Sequence, residues 1–262
     1  MIDSGTEKLL TEMRGNTLLI TINAPPANTW DADNLSALAR VVDQADEDRD
    51  IYAIVVHGAG DKFFSAGADL NLFAGGDKQV AADMAHNFGR AFERLSQFRG
   101  VSIAAINGYA MGGGLECALA CDIRLAEEQA QMALPEATVG LLPCGGGTQN
   151  LAWLVGEGWA KRMILCGERV KATQAQQIGL VEEVVEQGTS LDRALELAAK
   201  VAKQSPPAVS SCKQLIQGAR RGFIDSAYEG ERGAFVDLFD TKDQTEGVQA
   251  FLEKRAPNWV NG

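Results

Sequence analysis

Residues 105–116 read AINGYAMGGGLE, and this stretch decides the fold. The apolar run at 101–106 predicts a buried strand. Three glycines follow, and residues 115–120 then predict a helix that is apolar on most sides and therefore buried. A strand that passes through glycines into a buried helix leaves unpaired N–H groups at the helix N-terminus. With the helix dipole, these donors favour negative charge.

Two phosphate-binding interpretations of this glycine turn fail. No Gly-Lys-Ser/Thr follows the glycines, which a P-loop requires. The glycine spacing also differs from the dinucleotide fingerprint, and no acidic strand end follows at the right distance. From the residues alone, the turn is either a place of tight packing or a site for an anionic group.

A second turn with small side chains, residues 66–68, follows another apolar strand. If the backbone N–H groups of Ala68 and Gly113 converge, they form a two-donor oxyanion hole. Such a hole stabilises an enolate or a tetrahedral oxyanion, and losing one donor costs on the order of 3 kcal/mol. The alternative, two turns that share no ligand, stays open at this point.

Two glutamates stand in apolar surroundings. Glu116 lies inside the apolar 115–120 segment, and Glu136 follows an apolar strand at 130–134 and a proline. Buried carboxyls are rare without a partner or a task. Each glutamate alone fits a surface or salt-bridge role equally well. Together, beside glycine turns, they indicate a carboxyl pair that shares a water and in which one member stays protonated.

Nucleophilic chemistry has weaker support. Ser65 lacks a Gly-x-Ser-x-Gly frame, and nothing in the sequence couples His57 or His86 to it. A serine hydrolase is therefore disfavoured.

Composition limits the possible partners and compartment. The 262 residues carry a formal net charge of −11, which argues against nucleic-acid and anionic-membrane surfaces. The five cysteines are scattered and indicate buried small hydrophobic residues in a reducing cytoplasm, with no metal site. We expect neither a signal peptide nor a membrane span.

The order of predicted elements indicates an α/β protein. Strand-turn-helix units recur through the first part of the chain, which suggests an α/β core of stacked turns. Helices with charged faces then dominate, at 191–202, 206–220, 224–239 and 242–255. We therefore predict a catalytic core over residues 1–200 and a helical C-terminal region over 201–262, with residues 205–207 as a helix break and start.

The motifs taken together resemble one known family. In chain order they are FSAGADL at 64–70, the 105–116 stretch, Pro135-Glu136, GGGTQ at 145–149, GLV at 179–181 and FLEKR at 251–255. They resemble the crotonase, or enoyl-CoA hydratase/isomerase, superfamily over nearly the whole chain. The resemblance implies a spiral of ββα turns and a helical C-terminal region that packs trimers, two of which often stack as a hexamer.

The resemblance also assigns roles to residues. It implies that the N–H groups of Ala68 and Gly113 hold the thioester oxygen. It places Glu116 and Glu136 at the two catalytic carboxylate positions of the hydratases. No separate cofactor is implied, because coenzyme A is part of the acyl-CoA substrate.

Further positions are implied to contact coenzyme A. Three of them lie at the adenine end, namely Ala66, Asp69 and Leu70. The other two, Phe235 and Lys254, belong to the C-terminal region. Lys62 fits a solvated turn better than a phosphate contact. Asn150 stands where an arginine often follows the Gly-Thr-Gln, which affects local surface contacts. We expect the acyl tail to lie against residues 72–80 and 141–144.

The implied activity is hydration of trans-2-enoyl-CoA to 3-hydroxyacyl-CoA, a reaction of fatty-acid β-oxidation that amino-acid and aromatic degradation also use. Within the family, an enoyl-CoA isomerase usually keeps one acid-base carboxylate, so two favour hydration. A hydrolase or decarboxylase of the same fold is a further alternative. A non-catalytic scaffold or RNA-binding relative fits the acidic charge and the carboxyl pair less well.

Overall fold

The computed structural model describes residues 2–259, apart from the side chains of residues 219–227. In this part of the chain the strands are β1 Leu9–Arg14, β2 Thr17–Ile22, β3 Ala53–Gly58, β4 Phe63–Ser65, β5 Val101–Ile106, β6 Tyr109–Met111, β7 Ile123–Glu127, β8 Gln131–Ala133, β9 Val170–Lys171 and β10 Glu183–Val185. The α-helices are α1 Ala32–Glu47, α2 Lys78–Gln97, α3 Gly113–Ala120, α4 Gly147–Leu165, α5 Ala172–Gln177, α6 Ser190–Val201, α7 Pro206–Asp237 and α8 Lys242–Leu252. Short 3₁₀ helices cover Leu70–Phe73, Glu136–Val139 and Leu238–Asp240.

The larger sheet has six strands in the order β1-β2-β3-β5-β7-β10. Its first pair is antiparallel, and the pairs from β2 onward are parallel. Parallel strands are usually covered on both faces, and their sequences are then apolar throughout. β3 (AIVVHG) and β5 (VSIAAI) fit this rule, since nearly every residue in them is buried.

The smaller sheet has four strands in the order β4-β6-β8-β9. Each of its first three strands comes directly after a strand of the larger sheet and is followed by a helix. The repeats are β3-β4-α2, β5-β6-α3 and β7-β8-α4. These repeats are the ββα turns of a spiral, so the predicted fold class is confirmed.

The C-terminal region is helical as predicted, but its division into helices differs. The two helices expected at 206–220 and 224–239 are one helix, α7, of 32 residues. Helix α7 continues through residues 221–223 because no proline interrupts the segment, and a glycine inside a helix costs only about 1 kcal/mol. The predicted start is correct: Ser205 is the N-cap and proline occupies the first turn. The division of the chain near residue 200 stays a prediction.

Helix α3 lies in the interior, where it positions the site. All eight of its residues are buried. Its glycines allow this close packing: a Cβ at Gly114 would lie 2.2 Å from the Ser65 carbonyl oxygen, and one at Gly113 would lie 2.6 Å from the Phe88 ring. The helix therefore carries Glu116 into the protein core, with its N-terminus against β4.

Candidate active site

One cavity of about 440 Å³ collects most of the predicted site residues. It lies between the two glycine turns, the 3₁₀ helix at Glu136–Val139 and parts of α7 and α8. The predicted residues on its wall are Ala66, Ala68, Asp69, Leu70, Gly113, Glu116, Glu136 and Phe235. Residues that are remote in sequence thus meet at one site.

The two glycine turns lie against each other. A Cβ at Gly67, whose φ is +91°, would lie 2.7 Å from the Met111 carbonyl oxygen and 3.2 Å from the Gly113 nitrogen. Within the described residues, neither the N–H of Ala68 nor that of Gly113 donates to an acceptor. An N–H group on a cavity wall needs an acceptor, which water or a ligand can supply. Both amides are therefore available to an oxygen atom in the cavity.

Glu116 is buried and firmly held. Its Oε1 accepts hydrogen bonds from the N–H groups of Gly145, at 2.8 Å, and Gly147, at 2.9 Å. Burial raises the pKa of Glu116 well above its usual range, and the charges of Glu231 and Glu136 add to this. The two N–H donors act in the opposite direction, because they stabilise the ionised form.

Glu136 begins the 3₁₀ helix that follows Pro135. Both of its carboxyl oxygens are buried, and neither has a hydrogen-bond partner among the residues that the structure describes. Burial raises the pKa of Glu136 to about 8, and the charge of Glu231 also raises it. Glu136 is thus largely protonated at neutral pH and has hydrogen-bonding capacity to offer a ligand.

The geometry gives the two carboxyls different characters. One oxygen of Glu116 accepts hydrogen bonds from two main-chain N–H groups. The carboxyl oxygens of Glu136 have no hydrogen-bond partner among the described residues. Such a difference between neighbouring acids is how one becomes a base and the other an acid. The pair can handle the two protons of a water molecule beside the amides of the glycine turns.

A third carboxyl, Glu231 on α7, was not singled out from the sequence. It is buried and accepts hydrogen bonds from the N–H of Gly146, at 2.6 Å, and the N–H of Thr148, at 2.9 Å. The Thr148 hydroxyl also donates to it. Glu231 lies four residues before Phe235 and so on the same helix face. This spacing was the signal that could have found it.

Among the coenzyme A candidates, the contacts differ from residue to residue. Asp69 caps the 3₁₀ helix at Leu70–Phe73 through a hydrogen bond from the Asn71 N–H, at 3.1 Å. Phe235 is buried, with its ring 5.7 Å from that of Phe73. Lys254 is exposed and is absent from the cavity wall as far as the chain is described. Its role stays a prediction.

Only part of the two segments expected to contact the acyl tail, residues 72–80 and 141–144, lies on the cavity wall. Leu141, Leu142 and Cys144 line it, but of residues 72–80 only Phe73 does so in the described chain. Residues 74–80 instead lead into α2, whose N-cap is Asp77. Of the two predicted segments, the one after Glu136 therefore contributes more residues to the cavity wall.

One expectation about side-chain burial was wrong, and it concerns the cysteines. Asn150 is buried, and its Oδ1 accepts a hydrogen bond from the Tyr228 hydroxyl at 3.1 Å. The five cysteines are free, but Cys166 and Cys212 are exposed. Cys166 is the C-cap of α4, and Cys212 lies within the first two turns of α7.

Within the described residues, no cluster of three or more histidine, cysteine, aspartate or glutamate side chains has the arrangement of a metal site. None of the described helices combines the length and apolar character that crossing a bilayer needs.

Two sheets wound into ββα turns, with amides and carboxyls on one cavity wall, define the crotonase class. The sequence model of the enoyl-CoA hydratase/isomerase family matches residues 12–262. The chain belongs to this family, and the resemblance seen in the motifs is confirmed.

Individual relatives agree with this assignment. The chain is 38% identical over 252 residues to the short-chain-enoyl-CoA hydratase of Clostridium acetobutylicum, covering 94% of this chain and 95% of the relative. The solved structure of Pseudomonas aeruginosa DspI is 66% identical, with a TM-score of 0.82 and 97% of each chain covered. An enoyl-CoA hydratase from Bacillus anthracis is 35% identical, with a TM-score of 0.80, and the match covers 98% of this chain and 100% of that one.

Proposed function

We propose that the protein is a 2-enoyl-CoA hydratase, a hydro-lyase that adds water syn across the C2=C3 bond of trans-2-enoyl-CoA to give 3-hydroxyacyl-CoA. One observation carries the proposal. The Ala68 and Gly113 amides, which have no acceptor in the described part of the chain, share a cavity wall with the buried carboxyls of Glu116 and Glu136.

The amides act on the thioester. Its carbonyl oxygen accepts from the N–H groups of Ala68 and Gly113, which polarises the conjugated system and makes C3 electrophilic. When water adds at C3, negative charge collects on this oxygen as an enolate. Main-chain donors that are already in place stabilise that charge more than they stabilise the ground-state carbonyl.

The carboxyls act on the water. Glu116, whose ionised form the N–H groups of Gly145 and Gly147 stabilise, takes one proton while the hydroxyl oxygen bonds to C3. Glu136, protonated at neutral pH, donates its proton to C2, and the enolate collapses to the thioester. The product has gained one hydroxyl and one hydrogen, and the pair has exchanged which member holds the proton. The next bound water passes a proton back.

Coenzyme A enters as part of the substrate. In this proposal Ala66, Asp69 and Leu70 contact its adenine end through backbone groups, on the same wall as Ala68. Phe235 borders the cavity from α7. Lys254, exposed beyond α8, meets the coenzyme A of the same subunit or of a neighbouring one.

The test uses crotonyl-CoA. The purified protein should remove its ultraviolet absorbance, and mass spectrometry should find a product heavier by one water. An isomerase would leave the substrate mass unchanged, a hydrolase would release free coenzyme A, and a decarboxylase would lose carbon dioxide from a suitable substrate. A non-catalytic relative would bind without any of these changes.

Substitutions locate the chemistry. Glu116→Gln and Glu136→Gln should each lower kcat by well over tenfold, since a general acid-base contribution is usually about 10²–10⁴-fold. Binding of the unreactive butyryl-CoA should change little. Glu157→Gln serves as the control, because Glu157 lies on the solvent side of α4, paired with Lys161. Full activity in both active-site variants would refute the carboxyl-pair mechanism.

We also propose assembly as a homotrimer or a dimer of trimers. Leu215 and Ile216 on α7 are 77% and 75% exposed, and such apolar surface commonly marks an interface. Sedimentation should therefore give a mass of three or six chains. The free cysteines suit a reducing cytoplasm, and a panel of acyl-CoA substrates would test a role in fatty-acid β-oxidation.

A further inference from the structure

We propose that Glu231 is a positioning residue for hydration: it fixes the loop at residues 145–148 so that two amides of this loop hold Glu116 in place for the substrate water. The inference rests on the proposed function and adds a component to it from the C-terminal helical region. Glu231 acts through the loop, since it is not among the described residues that line the cavity.

The loop divides its N–H groups alternately between two carboxyls. Gly145 and Gly147 donate to Glu116 on α3, at 2.8 and 2.9 Å. Gly146 and Thr148 donate to Glu231 on α7, at 2.6 and 2.9 Å. Four successive amides thus point in turn to opposite sides. The orientation that serves Glu116 is the same orientation that serves Glu231, so losing one anchor frees the loop to rotate away from the other.

Space around the loop is tight, so its glycines are required. A Cβ at Gly145 would lie 2.7 Å from the Phe92 ring, and one at Gly147 would lie 2.8 Å from Glu116 Oε1. Gly146 has a φ of +92°, and a Cβ there would lie 3.0 Å from the Tyr228 ring. Helices α3 and α7 therefore approach the loop from two sides, and each presents a carboxyl to it.

A carboxyl in this position needs compensation for its burial. Glu231 receives three hydrogen bonds, one from Gly146 and two from Thr148. Burial still raises its pKa, while those donors and the neighbouring Arg232 lower it. The cost of keeping a largely buried acid is understandable if the loop it holds has a catalytic task.

Glu231 also contributes charge to the site. On one side it faces Glu116, Glu136 and Cys144, all of whose pKa values its negative charge raises. On the other side is Arg232, which forms an ion pair with Glu93 on α2. An ionised Glu231 therefore favours retention of a proton by the catalytic pair, which the acid step requires.

The experiment compares Glu231→Gln with Glu229→Gln in the full-length protein. Glu229 is an exposed residue two positions earlier on α7, so it matches the charge change without the loop contact. In Glu231→Gln an amide NH₂ faces a main-chain donor, and the loop loses part of its anchor. We expect kcat for crotonyl-CoA to fall by about tenfold or more, as displacing a catalytic group by a fraction of an ångström does.

The pH profile separates positioning from a merely structural role. Without the negative charge of Glu231, the pKa of the proton-donating carboxyl falls, so the alkaline limb of kcat/KM should move to lower pH. Glu231→Asp keeps the charge, so the limb should stay near its wild-type position even if kcat is reduced. The affinity for butyryl-CoA should change less than about threefold in both variants, since the cavity wall is intact.

Defined results would overturn the proposal. If Glu231→Gln has the kcat and pH profile of Glu229→Gln, Glu231 has no role in positioning. The same conclusion follows if its loss of rate is matched by a loss of butyryl-CoA affinity. If Glu231→Gln does not fold, Thr148→Val decides, because it removes only the hydroxyl donor to Glu231: a lower kcat supports the proposal and an unchanged kcat refutes it. Inactive wild-type protein would refute the proposed function instead.

Discussion

The Glu136 carboxyl packs against Gly112: a Cβ at Gly112 would lie 3.1 Å from Glu136 Oε1. The N–H of Gly112 donates to the carbonyl oxygen of Ala133, at 3.0 Å, in the strand that leads to Glu136. The turn that presents the Gly113 amide is therefore tied to the segment that presents the acid. The Gly113 amide and the Glu136 carboxyl keep a fixed separation because both are held by Gly112.

Gly112→Ala should impair catalysis more than stability. Gly112 has a φ of +52° and a ψ of −127°, a conformation that side chains other than glycine rarely adopt and that costs an alanine on the order of 1–3 kcal/mol, and the alanine methyl group would press on the Glu136 carboxyl. We expect kcat to fall by at least about tenfold, because the acid and the neighbouring Gly113 amide both move. Steady-state kinetics with crotonyl-CoA measure the effect.

The matched control is Gly15→Ala in the β1–β2 turn. Gly15 has a φ of +61°, and a Cβ there would meet nothing within 4 Å. It should lower the melting temperature through backbone strain alone while keeping wild-type kcat. Equal kcat values in the two variants would show that the contact with Glu136 has no catalytic importance.

The pH dependence of catalysis should have an alkaline limb near pH 8. Glu136 donates its proton only while it is protonated, and burial raises its pKa to about 8. Below that pH the acid is available, and above it kcat/KM should fall about tenfold per pH unit. Rates between pH 6 and 10, with stability checked at each pH, measure the limb. A profile that stays flat to pH 9.5 would remove Glu136 from the role of acid.

Local patterns predicted many elements because their causes are local. Asp31, for example, caps α1 with a capping box to Asn34, and every group in that box lies within four residues of the others. The apolar strands of the parallel sheet were recognised for the same reason. Strand β1 was missed because it is an edge strand with exposed polar residues, so its sequence lacks the apolar run that marks the others.

The site was predictable only in part. Glycine turns and buried acids are visible in the sequence, but nothing local shows that Ala68 and Gly113 share a cavity, and only the family resemblance indicated it. Glu231 escaped prediction because its partners at residues 146 and 148 are more than eighty positions away. The spacing of four residues from Phe235 was its one sequence signal, and that spacing does not show which part of the chain the helix packs against.

Removing the charge of Glu136 should stabilise the protein at alkaline pH. Its folded-state pKa of about 8 is above the usual 4.5, so the folded state binds the proton more tightly than the unfolded state. The stability that protonated Glu136 contributes is therefore fully present below pH 4.5, and this contribution is lost as pH rises through 8. Glu136→Gln avoids this loss. Its melting temperature at pH 8.5 should exceed that of the wild type by several degrees.

The comparison at two pH values tests the cause. At pH 5 the melting temperatures of Glu136→Gln and wild type should differ little, because both side chains are then neutral in the folded state. Glu157→Gln, on the solvent side of α4, should show no gain at either pH. A gain for Glu136→Gln that is the same at pH 5 and pH 8.5 would point to packing and not to ionisation.

Gly67→Ala should separate the two amides of the proposed oxyanion hole. At this position a methyl group would lie 2.7 Å from the Met111 carbonyl oxygen and 3.2 Å from the Gly113 nitrogen, so the turns at 66–68 and 111–113 must move apart. We expect kcat to fall by about a hundredfold, close to the loss of one donor.

Gly60→Ala is the control, since its φ of +79° is similar and a Cβ there meets nothing within 4 Å. A shift of the carbonyl stretch of bound acyl-CoA toward its value in water, seen only in Gly67→Ala, would tie the loss to polarisation. An unshifted stretch together with wild-type kcat would mean that the thioester oxygen is held elsewhere.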